Sequence, residues 1–402
     1  MPGPLHGVKV VEISMFQQGP VAGMRLGDLG AEVIKVEAPG GDPARGFMRI
    51  IGAMAGLKGP NYYFEHCNRN KRGVVLDLKQ PAGMEVFSKL IDQADVFVNN
   101  LSIDAPPRMG IGPQTLLERN PRLIYAQASG WGRRGPEASA LSFDYTGIAR
   151  SGLMLSGGEA GSPPTQMLPG IGDEMGGLVC AWAVCAALYA REKTGQGQVV
   201  DTSLMGSVIA SLGLIMSAPA ILGQEFPRER RATAGNPIYN HYGCADGKWL
   251  AIAHLQPERH WPKVLKALDL AELEHDPRFD SVEARGAHAA ELVAAFDQAF
   301  AQKGRGEWLK IFDEAGCIAQ PVQSPGEVAN DPQALANDYF LRLPEDGPGP
   351  AKTTGFPWDF SATPAQYQRP APEYGQHTQE VLTELGYTAE RIAELKGEGV
   401  LG

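Results

Sequence analysis

Short apolar runs recur through the first half of the chain. Each is followed by a turn and a helix-like pattern, and none alternates cleanly between polar and apolar residues. The runs lie at residues 8–13, 32–37, 73–78, 95–99, 122–129 and 198–203, and they are dense in Val and Ile. A strand that is apolar on both sides must be covered on both faces. Helical patterns at residues 20–29, 81–93 and 173–192 fall between the runs. Such strand–helix alternation predicts an α/β fold, with a parallel sheet joined by right-handed crossovers.

A chain of 402 residues exceeds one ordinary core, so a second domain is expected. The composition turns polar at residues 224–234, where Arg228, Arg230 and Arg231 cluster. Beyond it, strand patterns at 249–253 and 318–322 and helical patterns at 258–268, 287–302 and 306–315 predict a smaller α+β domain. Pro and Gly become dense over 344–372, and a helical pattern at 378–396 closes the chain. The expected division is a large domain at 1–223, a small domain at 224–330, and a C-terminal segment at 331–402 that returns to the large domain.

Several function classes fall away on composition. The net charge of −10 does not suit nucleic acid or an anionic membrane, so an anionic ligand needs a local basic cluster. The five cysteines are dispersed without a C-x-x-C pair, which suits free thiols in a reducing, cytoplasmic setting and gives no zinc set. The most apolar stretch, 178–190, is short for a bilayer span, which needs about 20 residues. The N-terminus lacks an apolar signal core. A nicotinamide site is not expected either. The turn after the first strand, Phe16-Gln17-Gln18-Gly19-Pro20, has no G-x-G-x-x-G and places Pro20 where a phosphate loop needs glycine. The turn remains a candidate ligand crevice.

Two other places can carry chemistry. Asn68-Arg69-Asn70-Lys71-Arg72 is a sharp basic cluster in an acidic chain. It reads equally as a phosphate-holding patch or as a solvated turn before the strand at 73. Asp173, in Gly170-Ile171-Gly172-Asp173-Glu174-Met175-Gly176-Gly177, reads as a helix N-cap or as a nucleophile. Flanking glycines would let a substrate approach closely. A free helix N-terminus would keep Asp173 ionised and supply an oxyanion site.

Over nearly its whole length the chain resembles the class III CoA-transferases, the family of formyl-CoA and carnitine CoA-transferases. The resemblance is carried by Leu5-His6-Gly7-Val8-Lys9-Val10 with Gln17-Gln18-Gly19-Pro20, and by Gly30-Ala31-Glu32-Val33-Ile34-Lys35-Val36-Glu37-Ala38-Pro39-Gly40. It extends through Asn68–Arg72 with Asp77-Leu78, Asn120-Pro121-Arg122-Leu123-Ile124-Tyr125, Ser129-Gly130-Trp131-Gly132 and Gly375-Gln376-His377-Thr378. It implies a Rossmann-like, CoA-binding large domain and two chains interlocked as a homodimer. It also implies no permanently bound cofactor, with acyl-CoA and a carboxylic acid as substrates. Asp173 falls on the aspartate that forms acyl-anhydride and aspartyl-CoA intermediates. Gln17, Gln18, Asn70, Lys71, Arg72 and Asn100 fall near bound CoA.

The chain departs from the family in two places. The glycine run of formyl-CoA transferases is reduced to one glycine in Ala234-Gly235-Asn236-Pro237-Ile238. The α-methylacyl-CoA racemases of the same family pair a His with an Asp, and the matching segment here is Ser142-Phe143-Asp144. Phe143 removes half of that proton-transfer pair. The alternatives are a racemase or a non-catalytic CoA-binding protein. Arg133, Arg134 and Arg150 are candidates for a second substrate carboxylate.

Overall fold

The computed structural model describes residues 1–46, 56, 57, 59–342 and 352–402. The start of the Pro/Gly-dense stretch, 344–351, lies outside them. The chain forms two compact units. Met1–Met154, Gln166–Gln224 and Asn337–Gly402 make the first, and Leu155–Thr165 with Glu225–Ala336 make the second.

In the first unit six strands are hydrogen-bonded in parallel: β1 (Lys9–Ile13), β2 (Glu32–Glu37), β3 (Lys71–Val75), β4 (Val96–Asn99), β5 (Ile124–Ser129) and β6 (Gln198–Ser203). Their order is β3-β2-β1-β4-β5-β6. Consecutive residues go to opposite faces, and both are buried. Val10 and Val33 pack under α1 (Gln18–Asp28) and the later long helix, while Val11 and Ile34 pack on the other face. That face is closed by the helix Pro81–Gln93 and by the C-terminal helices Thr378–Glu384 and Ala389–Gly397. Double coverage is why no strand alternates. Each fully buried Val, Leu, Ile or Phe contributes about 1.5–3 kcal/mol.

We label further helices of this unit α2 (Tyr62–Asn68), α3 (Pro81–Gln93), α4 (Pro113–Arg119), α5 (Asp144–Arg150), α6 (Ile171–Thr194), α7 (Leu204–Ser211) and α8 (Gly213–Leu222). The sheet reverses direction of growth between β1 and β4, where open α/β sheets bind ligands beyond the carboxyl ends of their strands. Asn100 pins this point. Its Oδ1 accepts the Met15 N–H at 2.9 Å and its Nδ2 donates to the Met15 carbonyl at 2.7 Å.

α6 starts two residues before the expected Asp173, because Gly170 supplies the break. It sits at φ 80°, and a Cβ there would stand 2.2 Å from Gln17 Oε1. The helix packs tightly on α1, since a Cβ on Gly177 would lie 2.6 Å from the Val21 Cβ. These glycines serve close packing within the fold. By length and composition α6 is apolar enough to cross a membrane, as core helices of doubly wound sheets also are. Its Val184 and Leu188 are buried in the unit's core, while Trp182 and Tyr189 are exposed. α7 and α8, absent from the sequence reading, meet at 86°.

The second unit holds an antiparallel sheet of β7 (Tyr239–Gly243), β8 (Trp249–Ala253) and β9 (Ala319–Val322). Aromatic residues fill its core, with Tyr242 stacked on Phe300 at 4.8 Å. The segment around Gly235 is tied to β8 through Asn236 Nδ2, which donates to the His254 carbonyl at 3.0 Å.

Candidate active site

Gly170, Ile171, Gly172 and Asp173 form the entrance to α6, so Asp173 is the third helical residue and not the cap. The capping role belongs to Asp144, the first residue of α5. Its carboxylate accepts the N–H groups of Gly170 and Gly172 at 2.8 Å each and that of Asp173 at 3.0 Å. The helix N-terminus therefore binds an anion, as such termini do, but the anion is Asp144. The expectation that these N–H groups keep Asp173 ionised does not hold. Burial first, then the Asp144 and Glu174 charges, push the Asp173 carboxyl up to about 7.

Glu174 is held in the opposite state. Burial would raise its carboxyl, but His66 and then Arg25 bring it down to about 2. Its oxygens lie 3.0 Å from Arg25 and 3.0 Å from His66 Nε2, and Gln17 Nε2 is 3.5 Å away. Three neighbouring carboxylates thus differ sharply. Asp144 and Glu174 are fully engaged, whereas the Asp173 carboxylate takes no hydrogen bond from any described residue.

The expected CoA contacts separate into two groups. Gln17 is on the spot, its Nε2 donating to the Gly170 carbonyl at 3.1 Å. Gln18 lies beneath α6, its Nε2 donating to the Ser129 carbonyl at 3.3 Å. Asn100 borders the same crevice through Met15. The basic cluster is elsewhere, because β3 begins at Lys71 and not at 73. Lys71 and Arg72 pair in register with Val33 and Ile34 near the amino end of β2, away from the carboxyl-end crevice.

The side chains of that cluster are spent inside the fold. Lys71 is wholly buried, its ammonium bound to Glu12 at 2.8 Å, the Pro20 carbonyl at 2.8 Å and Asn68 at 3.0 Å. Burial lowers its pKa. Arg72 is paired with Glu32, Glu380 and Glu384. Asn70, in the left-handed region at φ 62°, clasps the C-terminal segment by accepting the Gln368 N–H at 2.6 Å and donating to the Gln366 carbonyl at 2.9 Å. Lys71 therefore presents no free donor to a phosphate, and Arg72 is held by three carboxylates.

The three arginines proposed for a second carboxylate are likewise not gathered at Asp173. Arg150 pairs with Glu137 at 2.7 Å and lies 4.9 Å over the Trp131 ring. Arg133 and Arg134 line a cavity of about 480 Å³ with Trp131, Val199 and Asp201. Val200 packs into the core under α6 and Val199 into the core of the other face, so Asp201, two residues on, faces away from α6.

The sequence reading did not assign a role to Asp144, Glu174, His66 or Arg25. Asp144 caps a helix that begins 27 residues later, and no local pattern marks such a pairing. Glu174 adjoins Asp173, which was the only signal available. Among the described residues no group of three His, Cys, Asp or Glu side chains is arranged to hold a metal ion.

A profile for CoA-transferase family III matches residues 5–378. The chain belongs to that family. This family III enzyme is 34% identical to the (R)-2-hydroxy-4-methylpentanoate CoA-transferase of Clostridioides difficile over 403 residues, 99% of each chain. It is 30% identical to the α-methylacyl-CoA racemase of Homo sapiens, over 99% of this chain and 97% of the other. Among solved structures it superimposes on a CAIB/BAIF family protein from Brucella suis with a TM-score of 0.86 and 30% identity, covering 96% of this chain and all of the other. The doubly wound parallel sheet is thus that of the family.

Proposed function

We propose that this enzyme transfers CoA from an acyl-CoA donor to a carboxylic acid, with Asp173 as the covalent nucleophile. The observation that carries this reading is the contrast among the three carboxylates at the α6 entrance. Only Asp173 has its carboxyl raised and takes no hydrogen bond from a described residue. A carboxylate left without hydrogen bonds is more nucleophilic than one that is fully engaged.

The Asp173 carboxylate attacks the donor's thioester carbon. The C–S bond breaks, CoA leaves as thiolate, and a mixed anhydride remains. The thiolate attacks the Asp173 carbonyl, expelling the donor carboxylate and leaving an aspartyl-CoA thioester. The acceptor carboxylate attacks that thioester and frees the thiolate again. Attack of the thiolate on the acceptor's acyl carbon yields the new acyl-CoA and restores Asp173. The thioester's free energy is conserved through the covalent steps, so no nucleotide is consumed.

Racemase chemistry needs a second acid–base group facing the carboxylate. Residue 143 is Phe, and His66 is bound to Glu174. We further propose that the enzyme works as an interlocked homodimer, a reading supported by α8, which has no buried residue in the single chain.

Asp173→Ala is the direct test. It leaves the Asp144 cap in place, so the variant should fold with a circular dichroism spectrum like the parent's and lose transferase turnover by at least about a thousandfold. Substantial turnover by the folded variant would remove Asp173 from the mechanism.

A further inference from the structure

Three chain segments meet at the α6 entrance, and each brings an exposed apolar side chain. The turn after β1 offers Met15, 38% exposed, and the approach to α5 offers Leu141 and Phe143, 86% and 66% exposed. The approach to α6 offers Leu168, 75% exposed. Phe16 and Phe143 stand edge to face, with ring centroids 6.2 Å apart.

These rings are tied to the reacting turn by their neighbours in sequence. Gln17, next to Phe16, reaches the Gly170 carbonyl, and Asp144, next to Phe143, holds the N–H of Asp173. Phe16 is forced into the left-handed region at φ 62°, a strained conformation for a non-glycine residue that tends to persist at functional sites. Exposed apolar side chains on segments that meet at a nucleophile fit a ligand surface.

The charges around the same turn point the same way. Asp144 and Glu174 flank Asp173 and are both carboxylates. The cations of the neighbouring elements are already paired: Arg25 with Glu174, Lys35 with Glu12 and Asp42, Lys71 with Glu12, Arg150 with Glu137. Arg133 and Arg134 border a cavity whose Val199 and Asp201 face away from α6. A second carboxylate on the acyl group would sit among like charges with no described cation to meet it, which is strongly unfavourable where water is excluded. A neutral ring or branched alkyl group would instead cover the exposed face of Phe143.

We infer that the acyl subsite selects monocarboxylic acids bearing an aryl or branched alkyl group and rejects dicarboxylic acids, with Phe16 and Phe143 as its walls. This rests on Asp173 being the site of the covalent step. Self-exchange tests it without knowledge of the natural pair: each acyl-CoA is incubated with its own isotope-labelled free acid, and label entering the thioester is followed. The full-length protein is given 3-phenylpropanoyl-, 4-methylpentanoyl-, acetyl- and succinyl-CoA. The aryl and branched pairs should exceed acetyl by about tenfold or more in kcat/KM, the scale of one to two buried methylenes. They should exceed succinyl by more than that.

Phe143→Ala should lower the aryl-to-acetyl ratio by about tenfold, and Phe143→Arg should raise the succinyl-to-aryl ratio. Succinyl exchange equal to or faster than aryl exchange in the unaltered protein overturns the inference while leaving the Asp173 mechanism intact. So does a Phe143→Ala variant that changes oligomeric state but not the ratio, which would make the patch a contact between copies. Absence of exchange with all four pairs, together with no adduct on Asp173, would instead bring down the transferase reading itself.

Discussion

At the scale of single residues, Asp173 is a group the fold holds against its own interest. Its carboxyl rises from the ordinary 3.8 to about 7, chiefly by burial. A raised carboxyl pKa means that the folded chain binds the proton more tightly than the unfolded one. No cost arises below about pH 4, where both states are protonated; it grows as pH climbs towards 7 and is complete above it. Asp173→Asn should therefore raise the melting temperature more at pH 8 than at pH 5. In the proposed mechanism the same ionisation governs activity, since only the carboxylate attacks. kcat/KM for the acyl-CoA should climb with pH and level off above about 7, and Asp144→Asn, which removes a neighbouring charge but keeps an acceptor for the helix N–H groups, should move the climb to lower pH. A profile flat from pH 5.5 to 8, or unmoved by Asp144→Asn, would contradict this account of the nucleophile's surroundings.

At the scale of elements, β3 and α6 show where charge and chain direction overrule local pattern. Lys71 sits inside β3, wholly buried, and shares Glu12 with Lys35. Lys71→Ala would leave Glu12 with half its pairing and should cost about 3 kcal/mol, the scale of a broken buried ion pair. Its effect should be read in the melting temperature, with the KM for acyl-CoA unchanged in the folded fraction; a raised KM at an unchanged melting temperature would return Lys71 to the ligand. The strands of the parallel sheet were legible because double coverage leaves Val/Ile runs without alternation, as at Val10-Val11 and Val33-Ile34. The turn holding Gln17 and the nucleophile candidate were legible from glycine placement and resemblance. The start of β3 was not, since Asn70-Lys71-Arg72 reads as polar and only the buried carboxylate Glu12, 59 residues earlier, makes it a strand. The state of Asp173 was not legible either, because its cap, Asp144, comes from a separate helix. α7 and α8 were not legible because their largely apolar sequence carries no period.

At the scale of the molecule, α8 is the outlier. Leu214, Ile221 and Leu222 are exposed, as are Trp182 and Tyr189 on α6. Apolar surface of this extent is characteristic of a face covered by another chain. Sedimentation at nanomolar concentration should show a dimer, because interlocked chains part only by partial unfolding; a folded monomer there would contradict the interlocked arrangement. The transferase reading depends in the end on a covalent bond to one residue, and that bond can be caught. Hydroxylamine added during turnover should convert the activated Asp173 carbonyl to a hydroxamate and inactivate the enzyme only when acyl-CoA is present, with mass spectrometry placing the modification on the peptide containing Gly172-Asp173-Glu174. Transfer that proceeds undiminished in hydroxylamine with that peptide unmodified, or modification found on Glu174 or Asp144 in its place, would contradict the account.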